Sequence, residues 1–357
     1  MRVLVSGVVL GQPMGGVRRH NAELLPRVAK LLAEEGGTLA VMEGREPVAF
    51  PLPDSIERLS SDVPAGPPVR RAMHEGRALQ RHVASGSFDL VHTGHLPVPR
   101  RLPVPYALTL HDLRDLALRH SPFWRRLFAV KVVGEGAKRA AVVIAVSATV
   151  RDELIERFEL DPARVFVVPN AADHLPVLPR EPAADAPLLH VGHLEPRKNI
   201  QLLVRTLAAD PSLPDLQLVG APKGDEDEQL KKLARNLGVR DRIRFLGTVS
   251  DDELQRLYAR TACVVMPSRV EGFGIPVLEA QRARAPLAIA AAGAMPEVAG
   301  VSTPRFDPDD PKGCAAAIRA ATARDGGDLE GDADRAGGFR WDDSAERLLA
   351  AWRAALA

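Results

Sequence analysis

Two glutamates, Glu271 and Glu279, stand eight positions apart in SRVEGFGIPVLEA, residues 268–280, with Gly272, Phe273, Gly274 and Pro276 between them. The preceding run CVVMP has the pattern of a buried strand. Pro276 suits the first turn of a helix, where its missing N–H costs nothing. Gly272 and Gly274 therefore fall in the loop that enters that helix. Glycines there accept positive φ and let backbone N–H groups approach a ligand with no Cβ in the way. With the free N–H groups of a helix start, such a loop is an anion site that could hold a diphosphate. Each charge-assisted hydrogen bond in it is worth about 1.5–3 kcal/mol. Glu271 lies at the loop mouth and Glu279 about one turn inside the helix, so the two can meet different parts of one extended ligand. The alternative is a solvated Glu271 and a Glu279 paired with a surface arginine.

Three other places carry residue types suited to chemistry. Gly15 and Gly16 follow the first strand pattern and precede a helix pattern, which makes them either a second backbone anion cradle or an ordinary turn. His111 ends the strand pattern PYALTLHD beside Asp112, which could orient its ring. A lone histidine is commonly a hydrogen-bonded structural residue, but the carboxyl edge of a parallel strand is where ligands bind. Arg197 and Lys198 in LEPRKNI follow the strand pattern LLHVG. They read as a solvated helix start or as cations that stabilise a departing diphosphate.

These residues need a scaffold, and the chain supplies a repeated pattern. It has 357 residues, too many for one comfortable core, with 46% apolar and 26% charged residues and a net charge of +1. No global field favours nucleic acid. Cys263 and Cys314 lie far apart with no ligand spacing and read as free thiols of a reducing compartment. In the first half, VLVSG, FDLVHTG, PYALTLHD, AVVIAVS and VFVVPN read as strands, with helices over 17–35, about 68–85 and 149–158. Pro26 is expected to kink the first helix. In the second half, LLHVG, LQLVG, IRFLG, CVVMP and PLAIA alternate with helices near 199–209, 226–237, 251–260 and 276–284. The alternation predicts parallel sheets with crossover helices, an α/β class with two doubly wound domains. Their boundaries are 1–173 and 188–340, joined by the Pro-rich stretch 174–187. The Gly/Asp-rich segment 327–338 reads as a loop. A closing amphipathic helix over 341–357 is expected to cross back to the first domain. Two such domains make a cleft lined by the loops after their strands.

The wording of these loops resembles the retaining, nucleotide-sugar-dependent glycosyltransferases of family four, whose GT-B fold sets two Rossmann-like domains face to face. EGFGIPVLE is similar to the family's Glu-(seven residues)-Glu motif. MGGVRRHNAELL (14–25), TLHDL (109–113), VIAVSATVRDEL (143–154), VVPNAAD (167–173), HVGHLEPRKNI (190–200), RFLGTVSDDELQRLYARTACVVMPS (244–268) and MPEVAG (295–300) follow the family's order over nearly the whole chain. The resemblance implies a hexosyltransferase acting with retention from a nucleoside diphosphate sugar, GDP-mannose or UDP-glucose in type, with no cofactor and no metal. It implies that Glu271 contacts donor-sugar hydroxyls, that Glu279 contacts the ribose, and that the backbone of Gly272, Phe273, Gly274 and Ile275 holds the distal phosphate. It places Gly15 and Gly16 against the diphosphate and acceptor, His111 against the sugar, and Lys198 on the leaving group, with Arg197 beside it. The acceptor is a hydroxyl of a glycan, a glycolipid or another molecule.

One departure matters. His193 stands where many relatives carry a diphosphate-binding arginine, and the expectation is that a bound diphosphate raises its pKa and protonates it. Asp307 and Asp309 form an Asp-x-Asp in a Pro-rich stretch and read as a turn. No apolar run reaches the length of a membrane span, and the chain opens on a strand pattern, so a cytoplasmic protein is expected. The basic amphipathic stretch 119–139, with Phe123, Trp124, Leu127 and Phe128, is a candidate for contact with the inner face of the plasma membrane, where lipid-linked acceptors are found. Two rival readings keep the fold: a GT-B nucleotide-sugar epimerase, and a catalytically silent nucleotide-sugar-binding partner of another transferase.

Overall fold

The computed structural model describes residues 1–12, 15–113 and 123–357, apart from the side chains of 123–126. The chain forms two compact units, Met1–Asn170 with Trp341–Ala357, and Ala171–Arg340. Each is built on one parallel sheet.

The first unit holds β1 (Arg2–Ser6), β2 (Thr38–Met42), β3 (Ile56–Leu59), β4 (Leu90–Thr93), β5 (Tyr106–Leu110), β6 (Val142–Ala145) and β7 (Val165–Val167) in the order β3-β2-β1-β4-β5-β6-β7. Val3 pairs with Leu39 on one side and Leu90 on the other, so the direction of strand addition reverses at β1 and β4. β4, β5 and β6 are buried along their whole length, which is why they read as continuous apolar runs. β2 and β3 were not apparent in the sequence. TLAVM follows the Gly36-Gly37 helix end without a turn signal of its own, and IERL is a half-polar edge strand. The helix Gly16–Glu34 runs unbroken through Pro26, so the proline does not end it.

The helix Trp341–Ala354 packs within this first unit. Asp342 pairs with Arg27 at 2.9 Å and Ser344 Oγ donates to the carbonyl of Pro169 at 2.8 Å. Trp352 Nε1 donates to Nδ1 of His92 at 2.7 Å, and both side chains are buried. Because Nδ1 accepts, Nε2 of His92 carries the ring proton and donates to Thr109 Oγ1 at 3.1 Å.

The second unit holds β8 (Leu188–Val191), β9 (Leu216–Val219), β10 (Ile243–Gly247), β11 (Cys263–Met266), β12 (Leu287–Ala290) and β13 (Arg305–Phe306) in the order β10-β9-β8-β11-β12-β13. This is the doubly wound order of nucleotide-binding sheets, with its reversal between β8 and β11. The stretch 174–187 has no helix or strand and is tied to this unit by Arg180, which donates to the carbonyls of Tyr258 and Thr261 at 2.8 and 2.9 Å. Helix Asp251–Arg260 begins at Ser250, whose hydroxyl accepts from Glu253 N, and its acidic first turn complements the helix dipole.

One expectation fails outright. Residues 327–338 do not form a loop; Gly326–Gly337 is a helix capped by Asp325. Asp332 is buried against Arg324 and Ser302 at 2.6 and 2.8 Å, and Glu330 pairs with Arg284. These tertiary anchors outweigh the glycine content, which a propensity reading cannot foresee. Cys263 and Cys314 are buried free thiols.

Candidate active site

In the second unit the loops after β8 and β11 diverge from adjacent strands, which opens a crevice at the carboxyl edge of the sheet. The β8 loop is stitched in place from both sides. Leu194 bridges to Pro222, and Lys223 N donates to Leu194 O at 2.9 Å. Asn199 Nδ2 donates to the carbonyls of Pro267 and Pro308 at 3.1 and 2.8 Å, and Arg269 N donates to Arg197 O at 2.9 Å.

Buried charge concentrates here. Lys198 and Glu271 are 7% and 8% exposed, and Lys198 Nζ donates to Glu271 Oε1. Arg197 Nη1 donates to Oε2 of the same carboxylate at 3.2 Å, and its Nη2 pairs with Glu195 at 2.7 Å. Glu195 also meets Lys223 at 3.1 Å. Burial acts to raise the Glu271 pKa, but the charges of Lys198 and Arg197, with the hydrogen bond from Lys198, outweigh it and hold the carboxyl at about 2. His190 lies beneath with Nδ1 donating to Val265 O at 3.0 Å. Its burial lowers it to about 4, and so it is neutral. The backbone of Glu271 is itself buttressed. Gly293, at φ +57, packs where a Cβ would lie 2.5 Å from Glu271 O, and Ala294 N donates to that oxygen at 2.9 Å.

The loop from Glu271 runs into helix Ile275–Arg282 through Gly274, which caps it at φ 96, a backbone conformation that side chains with a Cβ rarely adopt. No side chain caps this helix start, and Pro276 lies in its first turn. Phe273 is 4% exposed and packs edge-on to Phe339 at 5.9 Å, which anchors the loop from below. Gly272 and Ile275 flank it. Glu279 is not paired with a surface arginine: it is 7% exposed, accepts from the Tyr258 hydroxyl at 2.7 Å and meets His174 Nε2 at 3.1 Å.

His193 is half-buried at the same crevice. Burial and then Lys223 lower its pKa; Lys198 and Arg197 add to the effect, and Glu195 opposes it. In the ligand-free chain burial and these three cations thus act against the protonated form; the expectation above concerns the diphosphate-bound state.

Gly15, Gly16 and His111 belong to the first unit. Gly15 caps helix Gly16–Glu34 at φ 49, and Gly16 is its first residue; Pro13 and Met14 lie outside the described residues. His111 follows β5, and its ring meets that of His20 edge-on at 4.7 Å. His20 Nδ1 donates to Asn170 Oδ1 at 2.8 Å, and burial lowers its pKa to about 4. The structure thus brings His111 to the first helix, and gathers Arg197, Lys198, Glu271 and the glycine loop in the second unit. Sequence reasoning missed Glu195, Lys223, His174, Tyr258, His190 and His20. Tyr258 and His20 lie inside stretches already singled out, RFLGTVSDDELQRLYARTACVVMPS and MGGVRRHNAELL; His174 and Lys223 had no such signal.

Asp309 N donates to Asp307 Oδ1 at 2.8 Å, which makes FDPDDP a side-chain-closed turn. Among the described residues no group of three or more metal-ligating side chains could hold an ion, and no helix is long and apolar enough to cross a membrane. Residues 119–122 and the side chains of Phe123 and Trp124 lie outside the described residues; on helix Phe123–Arg139, Leu127 and Phe128 are 54% and 53% exposed.

Comparison with known proteins agrees with this geometry. Residues 14–174 match the model of Glycosyltransferase Family 4, and residues 178–325 match Glycosyl transferases group 1. D-inositol 3-phosphate glycosyltransferase 1 of Catenulispora acidiphila is 30% identical over 97% of this chain and 93% of its own. O-antigen chain mannosyltransferase B of Escherichia coli is 27% identical over 87% of each. Among solved structures, sucrose-phosphate synthase from Thermosynechococcus elongatus shares the fold with a TM-score of 0.83 at 18% identity, covering 99% of this chain and 98% of that one. With two parallel-sheet units wound in the nucleotide-binding order and matched end to end by these models and relatives, the chain belongs to the family-four glycosyltransferases of the GT-B fold.

Proposed function

We propose that the protein is a retaining glycosyltransferase that moves a hexosyl group from a nucleoside diphosphate sugar to a hydroxyl acceptor. The observation that carries this reading is the buried Lys198–Glu271–Arg197 cluster at the strand-order reversal, beside a helix start entered through glycines. In the ligand-free chain Glu271 supplies the negative charge that the two cations face. A donor exchanges these partners: the diphosphate takes Lys198 and the N–H groups around Gly272–Ile275, and Glu271 turns to sugar hydroxyls. As the bond from the anomeric carbon to the diphosphate oxygen lengthens, charge grows on the distal phosphate, and a fixed ammonium stabilises that state more than the ground state. Arg197 supplies a second cation within reach. Glu279 holds the ribose. His111 keeps the role that the resemblance gives it, contact with the donor sugar.

The names of the relatives support a hexose donor and an acceptor that is a polyol phosphate or a growing glycan. GDP-mannose and UDP-glucose are the first donors to test. The purified protein is incubated with each radiolabelled donor, with and without acceptors of these two kinds, and nucleoside diphosphate release is followed. Retention is read from the anomeric configuration of the product by NMR. Lys198→Met and Glu271→Gln should each lower turnover by about 100-fold or more with an unchanged circular dichroism spectrum. Near-normal rates in either variant would refute the role assigned to it, and binding without release in the parent chain would favour the silent-partner alternative.

A further inference from the structure

The acid assigned above to the ribose is held by two side chains from outside its own helix. Tyr258 ends one side of the grip: its hydroxyl, on helix Asp251–Arg260, donates to Glu279 Oε2 at 2.7 Å. His174, from the segment that follows β7, meets Oε1 at 3.1 Å. A carboxylate only accepts, so Nε2 of His174 carries the proton. Tyr258 is 1% exposed and the side chains of His174 and Glu279 are 2% and 6% exposed. Water therefore does not compete for these bonds, and they fix the carboxylate in one orientation. Burial and the neighbouring carboxylate also push the Tyr258 hydroxyl well above its ordinary pKa, which keeps it a donor.

An ionised carboxylate has about four acceptor positions, two on each oxygen. Tyr258 fills one on Oε2 and His174 one on Oε1, so each oxygen retains one. Two remaining acceptor positions, one per oxygen and held rigid, suit two donors on adjacent carbons, the hydroxyls of a vicinal diol. We propose that Tyr258 and His174 are positioning residues that aim Glu279 at both hydroxyls of the donor's ribose, and thereby make the site select ribonucleoside over 2′-deoxyribonucleoside diphosphates. The proposal rests on the reading of Glu279 as the ribose contact. A nucleotide lacking one hydroxyl would leave a buried, charged acceptor unsatisfied, and sites of that kind reject such analogues strongly.

Calorimetric titration of the full chain with UDP, 2′-deoxy-UDP, GDP and 2′-deoxy-GDP tests this, in the parent and in Tyr258→Phe, His174→Leu, His174→Gln and Glu279→Gln. For the base that binds more tightly, the parent should prefer the ribonucleotide by about tenfold or more. Glu279→Gln should remove that preference, and Tyr258→Phe and His174→Leu should cut it to about threefold or less. His174→Gln, whose amide N–H can replace the imidazole donor, should restore much of it. Generalised damage to the unit would weaken both nucleotides alike and leave the ratio unmoved. If Tyr258→Phe does not fold, the two His174 variants decide. A tenfold preference that survives in Tyr258→Phe and His174→Leu but not in Glu279→Gln overturns the proposal and leaves the ribose assignment standing. A parent that binds neither nucleotide, or that does not discriminate, removes the assignment itself and the proposal with it.

Discussion

Replacing Lys198 with Met removes one of the two cations that Glu271 faces in the ligand-free chain, and the cost can be worked from the site. Glu271 is held at about 2 against an ordinary 4.5 even though burial alone would raise it. That depression corresponds to roughly 3 kcal/mol of net stabilisation of the ionised form. Lys198 is the largest favourable contributor and Arg197 the next, so the Lys198–Glu271 pair should couple by about 2 kcal/mol. Neither side chain is exposed enough for solvent to discount this much. Because the pKa is depressed, the contribution is complete above the unfolded-state value near 4.5 and is lost as pH falls through about 2, so it is fully present at pH 7. The test is a double-mutant cycle of Lys198→Met and Glu271→Gln on the ligand-free protein. All three tryptophans, Trp124, Trp341 and Trp352, fall in the first unit, so fluorescence does not report on this site. Hydrogen exchange read by mass spectrometry over segments 188–199 and 263–275 gives the local opening free energy instead. Each single variant should lose about 2–4 kcal/mol of protection and the double variant less than their sum. The coupling should persist at 1 M KCl, since a buried pair is weakly screened. A coupling under about 0.5 kcal/mol, or one abolished by salt, would mean that the pair is a surface contact and that donor exchange at Lys198 begins from an unpaired lysine.

Two other outcomes are expected. His193→Arg should tighten nucleoside diphosphate binding by about tenfold by adding a charge-assisted bond, and should lower the melting temperature of the ligand-free chain because Lys223, Lys198 and Arg197 already crowd that side chain; unchanged affinity would place residue 193 off the diphosphate. His20 and His92, lowered by burial to about 4 and about 3, are neutral in the folded first unit but protonate near 6.5 when it unfolds, so their stabilisation is present above about 6.5 and is lost as pH falls toward those values. Urea unfolding followed by tryptophan fluorescence should therefore show a loss of about 3–4 kcal/mol between pH 7.5 and 5, reduced by about half in His20→Gln, and a flat profile would contradict the burial of these rings.

Much of the second unit was legible because β8, β11 and β12 are buried along their whole length and so read as unbroken apolar runs. EGFGIPVLE disclosed its loop and helix start because glycine and proline have local meanings that hold whatever surrounds them. What stayed hidden depends on contacts between distant segments. Nothing local in GDLEGDADRAGG foretells a helix, since Arg324, Arg284 and Ser302 hold it from outside. IERL fails the apolar test because it lies at a sheet edge. Glu279 could be assigned two fates from its spacing, and only the convergence of Tyr258 and His174 decides against a surface-arginine partner.

The same distinction bears on His193. From the sequence it stands alone in place of an arginine, which invites the thought that it must be protonated to do an arginine's work. In the folded unit positive charge is still close by: Arg197 reaches Glu271, and Lys223 reaches Glu195, from positions where chain spacing shows no partnership. Removing one cation from a crevice that holds three others reduces their mutual repulsion in the ligand-free state. A neutral imidazole at 193 is then a concession to the stability of the empty site, and a gain in affinity bought by restoring arginine there should carry a matching loss in the stability of the unliganded fold.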